Sequence, residues 1–224
     1  MTGHKRCRRV LAAALLLLPA CLAVARGDCG GLDPPTPDVK VDVAGPPEPR
    51  IVAASEAEIR ERAGAAGKST RGDAVTRGLT VSETATETGY TLAKATLSDG
   101  TGCVALKGIE ARVADRGVTV LVDRSYRPGS CERRAILDHE QEHVRINAEA
   151  LRQTGRLLED QLEAVADRWG GRWLAPDQAP RIEEAIGRAV GEATAAARGE
   201  AEAGHRRLDT PESYAEVQER CGNW

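Results

Sequence analysis

Between Leu79 and Val122 apolar and β-branched residues recur in short runs: Leu79-Thr80-Val81, Tyr90 to Ala95, Cys103 to Val113 and Val118 to Val122, divided by Gly, Ser and Asp. This texture predicts β-strands, with Ala114-Asp115-Arg116-Gly117 as a tight turn joining the last two. After the polar Arg127-Pro128-Gly129-Ser130 the period becomes helical. Ser130 is a suitable N-cap for a helix running from Cys131 to about Trp169 and closed by Gly170-Gly171. Pro180 begins an Ala-rich helical stretch that reaches about Gly204, and Thr210-Pro211-Glu212 opens a terminal helix with a cap, a proline and an acid in order. Ahead of the strands, residues 55–63 predict a short helix that stops at Gly64. Strands followed by helices imply an α+β domain, here a small antiparallel sheet, then a long helix and further C-terminal helices.

The amino-terminal segment follows different rules. Lys5, Arg6, Arg8 and Arg9 precede an apolar run from Val10 to Ala20, and Ala23-Val24-Ala25 offers a small-x-small cleavage site. Residues 1–25 therefore read as a secretory signal peptide, since the apolar run is shorter than the roughly 20 residues a membrane span needs. Leu18-Pro19-Ala20-Cys21 approaches a lipoprotein cleavage site, which gives lipid anchoring at Cys21 as the competing reading. Six prolines lie within residues 28–50, so residues 26–54 are expected to form an extended Pro-rich tether. Residues 55–224 then make one domain, located in the periplasm or outside the cell, with no transmembrane helix.

Charge narrows the partners. Lys+Arg 31 against Asp+Glu 34 gives no positive excess to hold a phosphate backbone, which argues against nucleic acid. Aromatic residues are 3% with no Phe, so Val, Leu, Ile and Ala must build the core. Gly67-Lys68-Ser69-Thr70 lacks the first glycine of a phosphate-binding loop, because position 62 is Arg62. Arg71-Gly72-Asp73 has no special context.

Without the leader four cysteines remain, Cys29, Cys103, Cys131 and Cys221. An even number in an exported chain implies two disulfides. If the chain turns at 114–117, residue 103 falls opposite about 128, close to Cys131. The expected pairs are thus Cys103–Cys131 and, by elimination, Cys29–Cys221.

The chemistry is carried by His139-Glu140-Gln141-Glu142-His143, a complete H-E-x-x-H. On a helix, i and i+4 lie about 40° apart, so two imidazoles can share one zinc. Glu140, about 100° round the helix, can take a proton from a zinc-activated water as general base. Both histidines and Glu140 fall on the arc shared with Ile136, Leu137, Val144, Ala150 and Leu151, whereas Asp138, Gln141, Glu142, Arg145 and Glu149 occupy the other. Catalytic zinc usually has a third protein ligand. Position 149 is Glu and 146 is Ile, which excludes a histidine-and-glycine extension of the motif. Glu159, Glu163, Glu183 and Glu184 are candidates without distinction. His205 is the remaining histidine of the mature chain and the third-ligand candidate. Tyr214, nearby in sequence, is a candidate to stabilise an oxyanion.

The run Cys131-Glu132-Arg133-Arg134-Ala135-Ile136-Leu137-Asp138-His139-Glu140-Gln141-Glu142-His143, preceded by Pro128-Gly129-Ser130 and a hydrophobic strand, resembles a bacterial family of uncharacterised, predicted secreted zinc-dependent proteases. Asp209-Thr210-Pro211-Glu212-Ser213-Tyr214 with Cys221 is similar to the same group, and the resemblance covers roughly residues 78–221. Related families place a further histidine in the C-terminal third, which implies His205. The resulting expectation is an exported zinc metallohydrolase, a peptidase acting on a peptide or protein substrate. The alternative is a non-catalytic, zinc-stabilised envelope protein whose Glu/Arg-rich helices form a partner surface; a metal-free helical interaction protein is the third option.

Overall fold

The computed structural model describes Cys29, residues 32–65, residues 77–222 and Trp224. The expected signal peptide, the lipidation candidate Cys21 and both short motifs at residues 67–73 lie outside the described residues. Among the described residues four strands and four main helices follow one another. These are β1 (Asp38–Val43), β2 (Arg50–Ala54), α1 (Glu56–Ala65), β3 (Gly78–Thr96), β4 (Gly102–Asp123), α2 (Cys131–Trp169), α3 (Ala179–Leu208) and α4 (Pro211–Glu219).

The sheet is mixed, which corrects the antiparallel sheet expected from sequence. β4 is its axis. β3 pairs with β4 antiparallel along almost its whole length, from Gly78 opposite Val122 to Thr96 opposite Gly102. On the other edge of β4, β1 pairs parallel with residues 108–113 and β2 parallel with residues 119–123. The two short strands thus share one edge, end to end. They come from the segment expected to be a tether. Asp38-Val39-Lys40-Val41-Asp42-Val43 alternates at the strand period, and Val39, Val41 and Val43 pack against the core. The prolines that suggested a linker occupy the stretch between the two strands and the approach to the first.

A second correction concerns the turn at 114–117. The chain runs straight through it within β4, and the β3–β4 hairpin closes instead at residues 97–101, where Gly100 N donates to Leu97 O at 2.9 Å. The Asp-Arg-Gly signal marks a β-bulge: Ser82 faces Val118 and Thr84 faces Asp115, so two residues of β4 oppose one of β3. Asp115 secures the bulge, its carboxylate accepting from Ser82 Oγ at 2.7 Å and from the Glu83 amide at 3.1 Å.

The disulfides change with it. Cys29 bonds to Cys103 and Cys131 to Cys221, not Cys103 to Cys131. With no turn at 114–117, Cys103 and residue 128 lie near opposite ends of a 22-residue strand, far beyond disulfide reach.

α2 begins and ends where its caps put it. Ser130 Oγ accepts from the Arg133 amide at 3.2 Å, and the Gly170 amide bonds back to Ala166 O. Its apolar stripe includes Leu151, Leu158 and Leu162, packed with Leu106, Ile109 and Val113 of β4 and Ile182, Ile186 and Ala189 of α3. Burying each leucine fully is worth about 1.5–3 kcal/mol, so α2 is anchored along its length. α3 continues beyond Gly204 to Leu208, placing His205 inside its last turn. α4 follows after Asp209 and Thr210, with Thr210 Oγ1 accepting from the Ser213 amide. Among the described residues, no helix is long and apolar enough to cross a membrane.

Candidate metal centre

His139 and His143 sit in the first third of α2 and are 8% and 3% exposed, with Glu140 at 4%. The helical wheel is therefore realised: the motif faces inward. The histidines face the corner between α3 and α4, and Glu140 faces β3. Their separation into two directions follows from the 100° step between successive helix positions.

The corner supplies Asp209. Its Oδ1 lies 2.9 Å from His143 Nε2 and 3.3 Å from His139 Nε2. Donor atoms of all three residues fall within 4.8 Å of one another, so this group could hold a metal ion. Two ligand atoms at a tetrahedral angle on zinc, with bonds of 2.0–2.1 Å, stand about 3.3 Å apart. Two imidazole nitrogens and a carboxylate oxygen are also a donor set that zinc accepts. Chemistry and spacing both fit.

His205 is near, on the Nδ1 side of His143. Its Nδ1 lies 2.8 Å from His143 Nδ1, the ring nitrogen pointing away from Asp209, and its Nε2 lies 2.9 Å from Asn147 Oδ1. The expected third ligand thus stands behind His143, and Asp209 takes the position beside both Nε2 atoms. Close approach of the helices permits this. A Cβ on Gly204 would come to 3.1 Å from Ile146 Cγ2, so the glycine lets α3 bring His205 against α2. In the sequence Asp209 stands out only as the first residue of the Asp209–Tyr214 run that resembles the secreted proteases, with no role at the metal. The signal available was its spacing, four residues after His205 and directly before the capping Thr210.

Tyr214 reaches the cluster from α4. Its hydroxyl donates to Asp209 Oδ1 at 2.9 Å, and its ring centroid lies 5.3 Å from that of His139. The residue as a whole is 43% exposed, with the hydroxyl end turned inward. Burial pushes the Asp209 carboxyl up, but hydrogen bonds from His139, His143 and Tyr214 outweigh it and hold the group well below the ordinary carboxylate range. Burial, then the neighbouring Asp209 charge, raises the Tyr214 hydroxyl above its ordinary value. Asp209 is thus an anion ready to meet a cation, and Tyr214 stays protonated.

Glu140 is held by the sheet. Thr80 Oγ1 lies 2.7 Å from Glu140 Oε2 and 3.1 Å from the Glu140 carbonyl oxygen. A Cβ on Gly78 would sit 2.5 Å from Glu140 Oε1 and 2.7 Å from Ile136 Cγ2, so only glycine admits the carboxylate at that place. β3 is a sheet edge: among the described residues no strand pairs with its other side.

α4 and its Tyr214 are tied back by the Cys131–Cys221 disulfide and by Arg220, 3.6 Å from Asp138. The helix itself has no buried residue. No family model, curated protein or solved structure matches the chain.

Proposed function

We propose that the protein is an exported zinc-dependent hydrolase, a peptidase in which His139, His143 and Asp209 hold the metal and Glu140 is the general base. The observation that carries this reading is the convergence of His139, His143 and Asp209 donor atoms one residue from a buried, strand-anchored glutamate. Bound there, zinc lowers the pKa of water and polarises a carbonyl oxygen. Glu140 contributes a carboxylate oxygen fixed by Thr80, able to take a proton from the attacking water and return it to the leaving amine. Tyr214 offers a protonated hydroxyl beside Asp209, suited to donate to a carbonyl oxygen that gains charge. Among the described residues no strand covers the outer side of β3, which favours as substrate an extended peptide that adds a strand there.

Export is supported by the basic and apolar leader in the sequence and by two disulfides, which persist in oxidising compartments. The periplasm or the exterior of a bacterial cell is the proposed location. The resemblance to secreted zinc-dependent proteases belongs to the same proposal.

The test separates chemistry from binding. Glu140→Gln keeps one equivalent of zinc and loses cleavage of a quenched-fluorescent peptide library. Unchanged cleavage overturns the general-base assignment. Zinc bound without any turnover by the unaltered protein makes the centre a structural one.

A further inference from the structure

We infer that His205 and Asn147 form a hydrogen-bond relay that fixes His143 in the tautomer a metal ion requires, making His205 a positioning residue and not a ligand. The inference rests on the metal centre proposed above and concerns what stands behind it.

Two ring nitrogens 2.8 Å apart, His143 Nδ1 and His205 Nδ1, need one proton between them. Two lone pairs, or two protons, would repel at that distance. His143 turns its other nitrogen, Nε2, toward Asp209 Oδ1 and His139. Nε2 donates to the Asp209 carboxylate at 2.9 Å when no cation is bound. A metal takes its bond from a lone pair on Nε2, so that proton must leave Nε2 and the proton of the neutral ring then sit on Nδ1. It needs an acceptor there, in a place where the His143 residue is 3% exposed and water is scarce. His205 Nδ1 is that acceptor.

The assignment propagates one step further. If His205 Nδ1 accepts, its own proton is on Nε2, which lies 2.9 Å from Asn147 Oδ1. A carboxamide oxygen accepts, so the chain is consistent from end to end: His143 Nδ1–H donates to His205, and His205 Nε2–H donates to Asn147. The reverse direction would put a proton on His143 Nε2 and deny it to the metal. Asn147 is four residues after His143 on α2, on the same helix face. The relay therefore leaves α2, passes through α3 and returns to α2, clamping the two helices at the centre. Outer hydrogen bonds of this kind fix a ligand imidazole in place and make it more basic.

The experiment measures zinc affinity by competition with a chelator, alongside X-ray absorption of the zinc-loaded protein. The unaltered protein shows two imidazole ligands. His205→Leu binds zinc roughly 10–100-fold more weakly, the usual loss when such an outer partner is removed. His205→Asn, which offers an oxygen near the former Nδ1, recovers most of that loss. Asn147→Asp, a pure acceptor, retains affinity, whereas Asn147→Leu loses several-fold, a comparison that stands even if the leucine at 205 compromises folding. Three imidazoles around the zinc would make His205 a ligand and overturn the relay. So would affinities within twofold of the unaltered protein for both leucine variants. Failure of the unaltered protein to bind zinc removes the metal centre itself, and the relay with it.

Discussion

The Thr80 hydroxyl oxygen stands 2.7 Å from Glu140 Oε2, so the carboxylate after His139 is fixed by a strand and not by its helix alone. Gly78, two residues earlier on β3, leaves the space into which that carboxylate is pressed. Thr80→Val removes the hydroxyl while keeping the shape. It should lower kcat by tenfold or more with zinc stoichiometry unchanged, and cost about 1–3 kcal/mol for the weakened satisfaction of a buried acceptor. Gly78→Ala should do the same through sterics, because the added methyl cannot coexist with Glu140 Oε1 at 2.5 Å. Steady-state kinetics together with metal analysis check both.

Asp209 is the donor that closes the cluster. Asp209→Ala should reduce zinc affinity by at least a hundredfold, leaving the pair of imidazoles from one helix. Zinc at a hundred times its dissociation constant stabilises the unaltered fold by about 2.7 kcal/mol. A chelator should therefore lower its melting temperature by several degrees and leave that of the variant nearly unmoved. Differential scanning calorimetry with and without chelator makes the comparison.

The Cys131–Cys221 bond closes a separation of 90 residues onto a helix with no buried residue of its own. Replacing both cysteines by serine should cost about 2–4 kcal/mol of stability and weaken zinc binding several-fold, because Asp209 directly precedes the Thr210 cap of the loosened helix and Tyr214 lies on it. Amide exchange should quicken across residues 211–219 and stay slow in β4. Unchanged exchange in α4 would mean that Tyr214, Arg220 and the Thr210 cap hold it without the bridge.

α1 carries a local pH dependence. Glu58 accepts from the side chain and the amide of Ser55, both at 2.6 Å, and from Arg124, which lowers its carboxyl from 4.5 to about 2. Because the folded-state value is depressed, the unfolded chain takes up the proton first. This increment of stability is complete above about pH 4.5 and disappears as pH falls through about 2. Glu58→Gln should flatten part of the slope of melting temperature against pH between those limits, measured on metal-free protein.

What the sequence disclosed divides along the range of the interactions involved. α2 was legible end to end because its limits are local: Ser130 caps three residues ahead, and Gly170 closes the last turn. The inward aim of His139, Glu140 and His143 followed from the 3.6-residue period alone. The sheet was not legible in the same way. Whether β1 runs parallel to β4 depends on residues about 70 apart in sequence, such as Val39 beside Ile109, which no local pattern encodes. Residues 38–43 alternate at the strand period, but the six prolines of residues 28–50 carry the reading of a tether. Asp115-Arg116-Gly117 is chemically a turn signal and also a bulge signal, and only the partner strand decides between them. The disulfide pairing inherited that error. Asp209 is not legible as a ligand because only the packing of α3 against α2 brings it beside His139 and His143.

Cys29 is bonded to Cys103 at the first residues of β4, while Thr80 and Glu140 lie at the level of Val120. Seventeen residues of strand separate those levels, on the order of 55 Å along the chain. Anything joined to the protein upstream of Cys29, a lipid or a neighbouring domain, would grip it by the heel. The end that carries His139, His143 and Asp209 would then project outward, away from whatever surface holds the molecule.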